Sequence, residues 1–383
     1  MDFGDTSSEA DFRSEVRDWL QRTLTTLPWP EPVDLEERLS FFRVWQGKLH
    51  EAGYAGLSWP AEYGGRGADI AEQAIFAEEL NRAGAPDRVN SIGEGFAGPT
   101  IIDHGSDQQK QRFLEPILTG QEIWCQLFSE PGAGSDLAGL QCRAERDGDG
   151  WKITGQKVWT SRAQIADWAI LLARTSGTRH AGITYFLFPM RQEGVTIRPL
   201  RQMTGESEFN EVFLNGAHVP GDCVLGEVDD GWRLARATLQ YERVAIATGR
   251  LDVQRWIDDL LELVRDSGRA ADPLIRQRMA DFWARALVHR LNGARALTAM
   301  SDGAPGPESS IGKLYMIPLA TELADFALEL EGLDGRAAPT AADMHGRGHW
   351  QRRAYMARGM AIAGGTTNIQ RNIVAERVLG LPR

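Results

Sequence analysis

The spacing of apolar residues changes twice along this chain of 383 residues, and this limits the fold more than any other feature. Up to about residue 120, segments such as IAEQAIFAEELNRAG repeat apolar residues at helical spacing. From about 121 to 225, short segments rich in aromatic and branched residues, such as GITYFLFP, lie between turn signals such as DGDG. Helical spacing then returns and lasts to the end of the sequence.

This pattern predicts an α+β fold with three domains: an N-terminal helical domain over residues 1–120, a middle β domain over 121–225 and a C-terminal helical domain over 226–383. Strands do not alternate with helices, so the pattern does not predict the parallel sheet of an α/β protein. The length of the chain agrees with two or three packing units rather than one core.

Composition and charge exclude several classes of function. A net charge of -11 argues against nucleic acid or an anionic membrane surface as the main partner. Three scattered cysteines form neither a disulfide framework nor a zinc site, and they indicate a reducing compartment. The start MDFGDTSSEADF resembles no secretory signal or basic transit peptide, and no apolar run approaches the roughly 20 residues of a membrane span. We therefore expect a soluble cytoplasmic protein.

Three short patterns that resemble functional motifs have simpler interpretations. The glycines of GGRGAD at 64–69 follow a loop rather than a strand, so they indicate a turn and not a dinucleotide site. His345 and His349 stand four residues apart, but two glycines lie between them and no third ligand is nearby, so we expect no metal site. Ser129 and Ser135 lie outside any G-x-S-x-G elbow, which argues against a serine hydrolase.

Two segments of the predicted β domain combine ring planes, hydroxyls and close glycines. In CQLFSEPGAGSD a strand enters a turn of small residues, where backbone N–H groups and the hydroxyls of Ser129 and Ser135 can approach a ligand. In GQKVWTS, Trp159 is followed by Thr160 and Ser161, so a flat heteroaromatic group can stack on the ring and accept hydrogen bonds beside it. A glycine-rich connection and a core tryptophan are the alternatives.

The closing segment GGTTNIQRNIVAERVLGLPR places a glycine pair, Gly364 and Gly365, before Thr366 and an amphipathic run. A helix that begins there suits a flat or anionic group at its N-terminus. From Ala361 to Asn368, however, the sequence has no acidic residue, histidine or cysteine. The segment therefore indicates a binding site without a residue for acid–base chemistry.

Together, CQLFSEPGAGSD, KVWTS and GGTTNIQRNIVAERVLGLP, with WPAEYGGRG and RPLRQMTGESEFNEVFLNGAHVP, resemble the acyl-CoA dehydrogenase family, in order and over nearly the whole chain. The resemblance implies an N-terminal helical domain, a middle β-barrel or sandwich domain and a C-terminal four-helix bundle. It implies FAD between the β domain and the bundle, usually shared across a dimer interface, and hence a homodimer or homotetramer. The substrate would be an acyl-CoA or acyl-carrier-protein thioester, dehydrogenated to the trans-2-enoyl thioester, with an electron-transferring flavoprotein as acceptor.

The resemblance also implies which residues form the site. The Ser161 hydroxyl would lie near the flavin N5, and Ser135 would also lie near the acyl-CoA. The residues that would bind the cofactor are Gln126, Leu127, Phe128, Ser129, Gly134, Ser135, Trp159, Thr160, Ser161, Arg265, Thr366 and Asn368. Those that would bind the substrate are Ser135, Tyr241, Arg243, Gly364 and Gly365.

The catalytic base is the main departure from the family pattern. Many members place a glutamate directly before the Gly-Thr of the closing motif, where this chain has Gly364. Glu242 lies among mostly small or apolar helical neighbours, off a polar stripe formed by Arg233, Arg236, Gln240, Arg243 and Arg250. Periodicity alone leaves open an ordinary ion pair at the edge of that stripe. The long-chain and isovaleryl branches have a glutamate on this helix just before an arginine, so the resemblance makes Glu242 the base that removes the α-proton while flavin N5 accepts the β-hydride.

Other departures leave alternatives open. The family's Arg-x-x-Phe-Gly element corresponds to LVRDSGRAADP, where Arg265 is shifted and the Phe is missing, and its adenine loop is only faintly present in LELEGLDG. A hetero-oligomer would supply the missing contacts. Ala363 and Gly364 replace bulkier residues, which predicts that bulky acyl groups are accepted. Two alternative functions stay open. One is a flavin monooxygenase or oxidase, against which Glu242 argues; the other is a non-catalytic subunit, which Gly364 suggests.

Overall fold

The computed structural model of this chain describes residues 4–29, 31–32, 35–245, 253–301, 306, 308–333, 335 and 349–382, and for residues 35, 242–245, 300–301, 308–309 and 349 it describes the backbone alone. The chain forms two compact units. One, which we call the bundle unit, comprises Met1–Thr26, Asp69–Ala85 and Arg243–Arg383; the other, the sheet unit, comprises Leu27–Ala68 and Pro86–Glu242. Each unit combines stretches that are separate in the sequence, so the units do not test domain boundaries at single positions. The boundaries at 120 and 225 stay a prediction.

The sheet unit is built on one large sheet. Its strands in the described residues are β1 (Trp124–Leu127), β2 (Arg143–Asp147), β3 (Gly150–Ser161), β4 (Trp168–Arg174), β5 (Ile183–Pro189), β6 (Val195–Leu200), β7 (Phe209–Val219) and β8 (Val224–Leu225). They lie in the order β6-β7-β3-β2-β4-β5-β8, and β1 pairs with β4 off this path. Most pairs are antiparallel, but β1 runs parallel to β4, with Trp124 opposite Trp168. The predicted β domain is confirmed.

Helices of the sheet unit lie before and after the strands in the sequence. They are α2 (Leu35–Glu51), α4 (Gly98–His104), α5 (Asp107–Thr119) and α6 (Gly231–Ala245), the last three residues of α6 belonging to the bundle unit. A capping box between Ser106 and Gln109 begins α5, and Gly120, in the left-handed region, ends it. Gln109 also reaches the sheet, because its amide donates to the carbonyl oxygens of Asp222 and Val224 at 2.7 and 2.8 Å.

The bundle unit is helical. Its helices in the described residues are α1 (Ser7–Leu24), α3 (Ile70–Ala83), α7 (Gln254–Asp266), α8 (Pro273–Ser301), α9 (Glu308–Glu331), α10 (His349–Met360) and α11 (Thr367–Ile373). Helices α7 to α10 share one hydrophobic core, in which Leu260, Phe282 and Leu323 are fully buried. This shared core confirms the predicted C-terminal helical bundle, and its helices follow from the helical spacing of the apolar residues.

Three further features concern the described residues as a whole. No helix among them is long and apolar enough to cross a membrane. Cys125, Cys142 and Cys223 are free and buried, and burial raises the pKa of the Cys142 thiol to about 11. Within the described ranges, no three His, Cys, Asp or Glu side chains gather as metal ligands, and His345 and the side chain of His349 lie outside them.

Candidate cofactor and substrate site

The end of β3 carries a β-bulge at Trp159. Lys157 lies opposite Val212 and Thr160 opposite Asn210, so β3 has one residue more than β7 between these pairs. The extra residue turns the chain into the left-handed region, with φ of 61° at Trp159. For a bulky residue this conformation costs about 1–3 kcal/mol, so the surrounding contacts must hold it.

The bulge turns the Trp159 ring outward. The side chain is 62% exposed, although Phe209 meets the ring edge-on with the centroids 6.1 Å apart. Trp159 is therefore not a core residue, which removes one of the alternatives left by the sequence. An exposed indole ring offers a flat apolar face on which another ring can stack.

The loop after β1 is joined to this bulge. The backbone N–H of Val158 donates to the carbonyl oxygen of Ser129 at 3.0 Å. Beyond Ser129 the loop exposes Gly132 and Gly134, and a Cβ atom at either glycine would meet no described atom within 4 Å. The hydroxyl of Ser135 is exposed and that of Ser129 half-buried. The structure thus brings the segment 126–129 to the strand that carries Trp159.

The two hydroxyls after Trp159 differ in access. Ser161 is half-buried, whereas Thr160 is buried. The Thr160 Oγ1 atom is closed off from the surface and has no hydrogen-bond partner among the described residues. The side chain of Asn210 donates to the carbonyl oxygen of Thr160 at 3.0 Å. The Thr160 hydroxyl, a predicted cofactor contact, is therefore not open to a ligand in this structure.

In the bundle unit, a glycine turn precedes α11. Gly364 and Gly365 both have left-handed φ angles, 63° and 89°. Thr366 then caps α11, since its hydroxyl oxygen accepts from the N–H of Ile369 at 3.3 Å, and the hydroxyl proton remains available to a ligand. Helix α11 continues without a break into a π-helix over Val374–Val378. Asn368 is exposed on its first turn.

Helix α6 carries Glu242 and shows part of the predicted polar stripe. Arg233, Arg236 and Gln240 are exposed, whereas Ala235 and Thr238 are buried. The backbone of Glu242 lies within α6, and its side chain lies outside the described residues, as does that of Arg243. The site role of Glu242 stays a prediction.

Three hydroxyls hold α6 one turn before Glu242. The Thr238 Oγ1 atom lies 3.1 Å from the hydroxyl oxygen of Tyr185 in β5 and 3.0 Å from Oγ1 of Thr100 in α4. All three side chains are buried. Near the end of the helix, the Tyr241 hydroxyl donates to the Asp103 carboxylate. Burial, with Asp103 beside it, raises the pKa of Tyr241, so the phenol stays neutral as a hydrogen-bond donor.

The predicted site residues fall into two groups, one in each unit. Those in the sheet unit are Gln126, Leu127, Phe128, Ser129, Gly134, Ser135, Trp159, Thr160, Ser161, Tyr241 and Glu242. Those in the bundle unit are Arg243, Arg265, Gly364, Gly365, Thr366 and Asn368. Arg265 lies exposed in the last turn of α7 and forms no ion pair within the described part of the chain.

Comparison with known proteins decides the family. Models of the N-terminal, middle and C-terminal domains of acyl-CoA dehydrogenase match residues 6–121, 125–216 and 229–379. The chain belongs to the acyl-CoA dehydrogenase family. It is 43% identical over 385 residues to acyl-CoA dehydrogenase IpdE1 of Mycobacterium tuberculosis, covering 97% of this chain and 98% of that protein.

Two solved structures are similar to this protein over the whole chain. The Tcur3481-Tcur3483 steroid ACAD superposes with a TM-score of 0.88 at 29% identity, covering 100% of both chains. The ChsE4-ChsE5 complex from Mycobacterium tuberculosis superposes with a TM-score of 0.84 at 31% identity, again covering 100% of both chains. Both similarities extend over the helical and sheet regions alike.

The protein is thus an FAD-dependent acyl-CoA dehydrogenase. The residues of the sheet unit fit the flavin ring system: Trp159 offers an exposed ring, Gly132 and Gly134 leave open backbone, and Ser161 is only half-buried. The assignment of individual residues to the cofactor and to the substrate stays a prediction.

Proposed function

We propose that the chain dehydrogenates an acyl-CoA thioester between its α and β carbons, with Glu242 as the base that removes the α-proton. FAD, when bound, takes up the β-hydride. Gly364 carries the proposal, because a glycine at the position where many family members have glutamate cannot accept a proton. The anchoring of α6 through Thr238 and Tyr241 supports the role of Glu242, since a base must be held at a fixed position relative to the substrate.

The test replaces Glu242 with glutamine. We expect E242Q to keep FAD and its yellow colour but to lose dehydrogenation, because an amide of nearly the same shape cannot accept the proton. Bleaching of the flavin by acyl-CoA under anaerobic conditions measures the chemical step directly. E227Q, which replaces an exposed glutamate just before α6, is the control, and its flavin should bleach at the wild-type rate. Bleaching retained by E242Q would refute the assignment, and oxygen consumption with substrate would favour an oxidase.

We further propose that the acyl group is large and of steroid type. Ala363 and Gly364 present only small, exposed surfaces at the turn before α11, which leaves room on that side. The similar Tcur3481-Tcur3483 protein is a steroid ACAD, which supports the same substrate class. A panel of CoA thioesters tests this, with anaerobic bleaching as the readout. A strong preference for butyryl-CoA over a steroid side-chain CoA would refute it.

We propose that this chain works in a hetero-oligomer rather than in the homo-oligomer that the resemblance implied. The shifted Arg265 and the missing Phe remove an element that reaches the FAD of a neighbouring subunit in the family, so a second kind of subunit would complete that contact. The ChsE4-ChsE5 protein is a complex of two different chains, which supports this arrangement. A pure homo-oligomer of this chain with one FAD per chain, measured by light scattering and absorbance, would refute it.

The non-catalytic subunit is the second candidate, favoured by Gly364 alone. Under that function this chain would bind FAD or a partner without removing a proton. A complex with its partner that bleaches normally when this chain carries E242Q would support the non-catalytic function. Loss of bleaching in the same complex would support Glu242 as the base.

A further inference from the structure

An ion pair that the sequence did not predict is buried beside the Trp159 bulge. The Lys157 Nζ atom lies 2.8 Å from Oε1 of Glu130, and the two side chains are 0% and 8% exposed. Burying two charges is costly unless further hydrogen bonds satisfy them. Lys157 also donates to the carbonyl oxygen of Phe128 at 3.1 Å, so its ammonium group contacts the loop after β1 at two points.

The Glu130 carboxylate closes that loop at its other end. Its oxygens accept from the backbone N–H groups of Gln141 and Cys142 at 2.7 and 3.0 Å. The residues between Glu130 and Gln141 include Gly134 and Ser135, two predicted cofactor contacts. One carboxylate therefore fixes both ends of the segment that carries these residues.

Lys157 also stands directly before the bulge. The next residue, Val158, donates its N–H to the carbonyl oxygen of Ser129, and the residue after it is Trp159 with its left-handed backbone. Two consecutive residues of β3 are thus bonded to two consecutive carbonyl groups of the loop, those of Phe128 and Ser129. These contacts fix where the loop lies along β3 and hold the strained conformation of Trp159.

We propose that Lys157 and Glu130 are positioning residues, which hold the loop 128–136 and the Trp159 ring in the relative arrangement that receives the flavin. Lys157 is fully buried and Glu130 almost so, and the ammonium and carboxylate groups are bonded within the loop and to β3, so we assign neither side chain a contact with the cofactor or the substrate. The pair acts before binding, because a face fixed in advance loses less conformational entropy when the ring docks. The inference rests on the assignment of the flavin to Trp159, but it does not depend on Glu242 as the base.

The experiment removes the ammonium group in K157M, which keeps an apolar side chain of similar length. We expect the dissociation constant for FAD to rise about tenfold, because FAD must then order a loop that Lys157 holds through two contacts, and a hydrogen bond to a charged group is worth about that factor. In the apo-protein, amide hydrogen exchange over residues 128–142 should become faster than in wild type. K152M, which removes an exposed lysine from the same strand, is the control and should change neither quantity.

A double variant, K157M with E130Q, separates positioning from general stability. It leaves no unpaired buried charge, so its melting temperature should lie closer to wild type than that of K157M. We expect its affinity for FAD to stay weak, because the loop is then held to β3 by the backbone bond between Val158 and Ser129 without the ammonium group of Lys157. FAD affinity that follows the melting temperature across all variants would overturn the proposal. The proposal is also overturned if K157M binds FAD with wild-type affinity and shows wild-type amide hydrogen exchange. Should K157M not fold, the same two results in the double variant would overturn it.

W159A distinguishes this inference from the assignment of the flavin site. If W159A binds FAD as wild type does, the flavin does not dock on this face and the assignment fails together with the positioning role. If W159A loses affinity and the Lys157 variants do not, the assignment stands and the positioning role alone is wrong. We expect both W159A and K157M to bind FAD more weakly.

Discussion

The ammonium group of Lys313, in α9, lies 2.6 Å from the carbonyl oxygen of Gly365 in the turn before α11. It also donates to the carbonyl oxygen of Ala363. Between these two, the carbonyl oxygen of Gly364 accepts from the side-chain amide of Gln370 at 3.0 Å. Three consecutive carbonyl groups of the glycine turn are thus bound by two buried side chains. The turn that precedes Thr366 is therefore held by hydrogen bonds to side chains rather than by side-chain packing of its own.

Replacing Lys313 with methionine should destabilise the bundle unit. The variant loses hydrogen bonds from a charged donor, and we expect the free energy of unfolding to fall by about 2 kcal/mol. Denaturant unfolding measures the change. K48M, on α2, is the control and should stay close to wild type, because Lys48 makes no such contact among the described residues. An unchanged midpoint in K313M would show that the two carbonyl groups are equally well satisfied by water.

The buried hydroxyl groups of Thr238, Tyr185 and Thr100, which hold α6, give a second prediction. T238V removes the oxygen that links Tyr185 to Thr100 and leaves buried hydroxyls with fewer partners. We expect a loss of stability of about 1–3 kcal/mol, together with a lower rate of anaerobic flavin bleaching, because α6 carries Glu242. T298V, an exposed threonine on α8, should change neither. If the bleaching rate stays at the wild-type value while stability falls, the hydrogen bonds of Thr238 stabilise the fold but do not affect catalysis.

Glu79 links the stability of the bundle unit to pH. Burial opposes its ionisation, but hydrogen bonds from Arg17 and Arg13 outweigh this and lower the pKa of Glu79 below its ordinary value of 4.5. A lowered pKa in the folded state contributes stability that is complete above about pH 4.5 and is lost as the pH falls through the folded pKa. E79Q should therefore unfold more easily at pH 7, by about 2 kcal/mol, and the difference should shrink below pH 4.

Denaturant unfolding of E79Q and wild type at pH 7 and pH 3.5 measures this. E78Q is the matched control, since Glu78 also contacts Arg13 but is exposed, and it should cost little at either pH. A difference between E79Q and wild type that is the same at both pH values would contradict the linkage.

The left-handed Gly364 gives a fourth prediction. G364A should lower the free energy of unfolding by about 1 kcal/mol, since φ of 63° is unfavourable for any residue with a Cβ atom. G359A is the control: Gly359 lies within α10, and a Cβ there would meet no described atom within 4 Å. Alanine in a helix is favoured over glycine, so G359A should be neutral or stabilising by about 0.5–1 kcal/mol. Thermal unfolding compares the two, and equal effects would argue against a strained turn at Gly364.

The sequence predicted the features that depend on local patterns. Apolar spacing indicated α3 and α5, and aromatic and branched residues between turn signals indicated β3 and β5, because period and turn signals are properties of neighbouring residues. It did not single out α4 or β7 as elements. The family followed from three separated motifs, and Trp159 was a candidate ring contact from the two hydroxyls beside it before the resemblance was drawn.

The contacts that hold the site could not be predicted in the same way. Lys157 and Glu130 stand 27 residues apart, and Lys313 and Gly365 stand 52 apart. Periodicity carries no information on which distant groups meet, and a lysine in a strand usually indicates a solvent-facing position. The bulge at Trp159 follows from pairing with β7, which is also a relation between distant residues.

The backbone of the glycine turn has a consequence for how such enzymes change. Any side chain at residue 364 would be attached to a left-handed backbone whose carbonyl group is bound by Gln370. Exchange of Gly364 for glutamate would therefore carry the same backbone strain of about 1 kcal/mol that we expect for G364A. If Glu242 is the base, as we propose, the placement of the base on another helix removes the need for a side chain at residue 364, and glycine lets the turn adopt its left-handed backbone without strain.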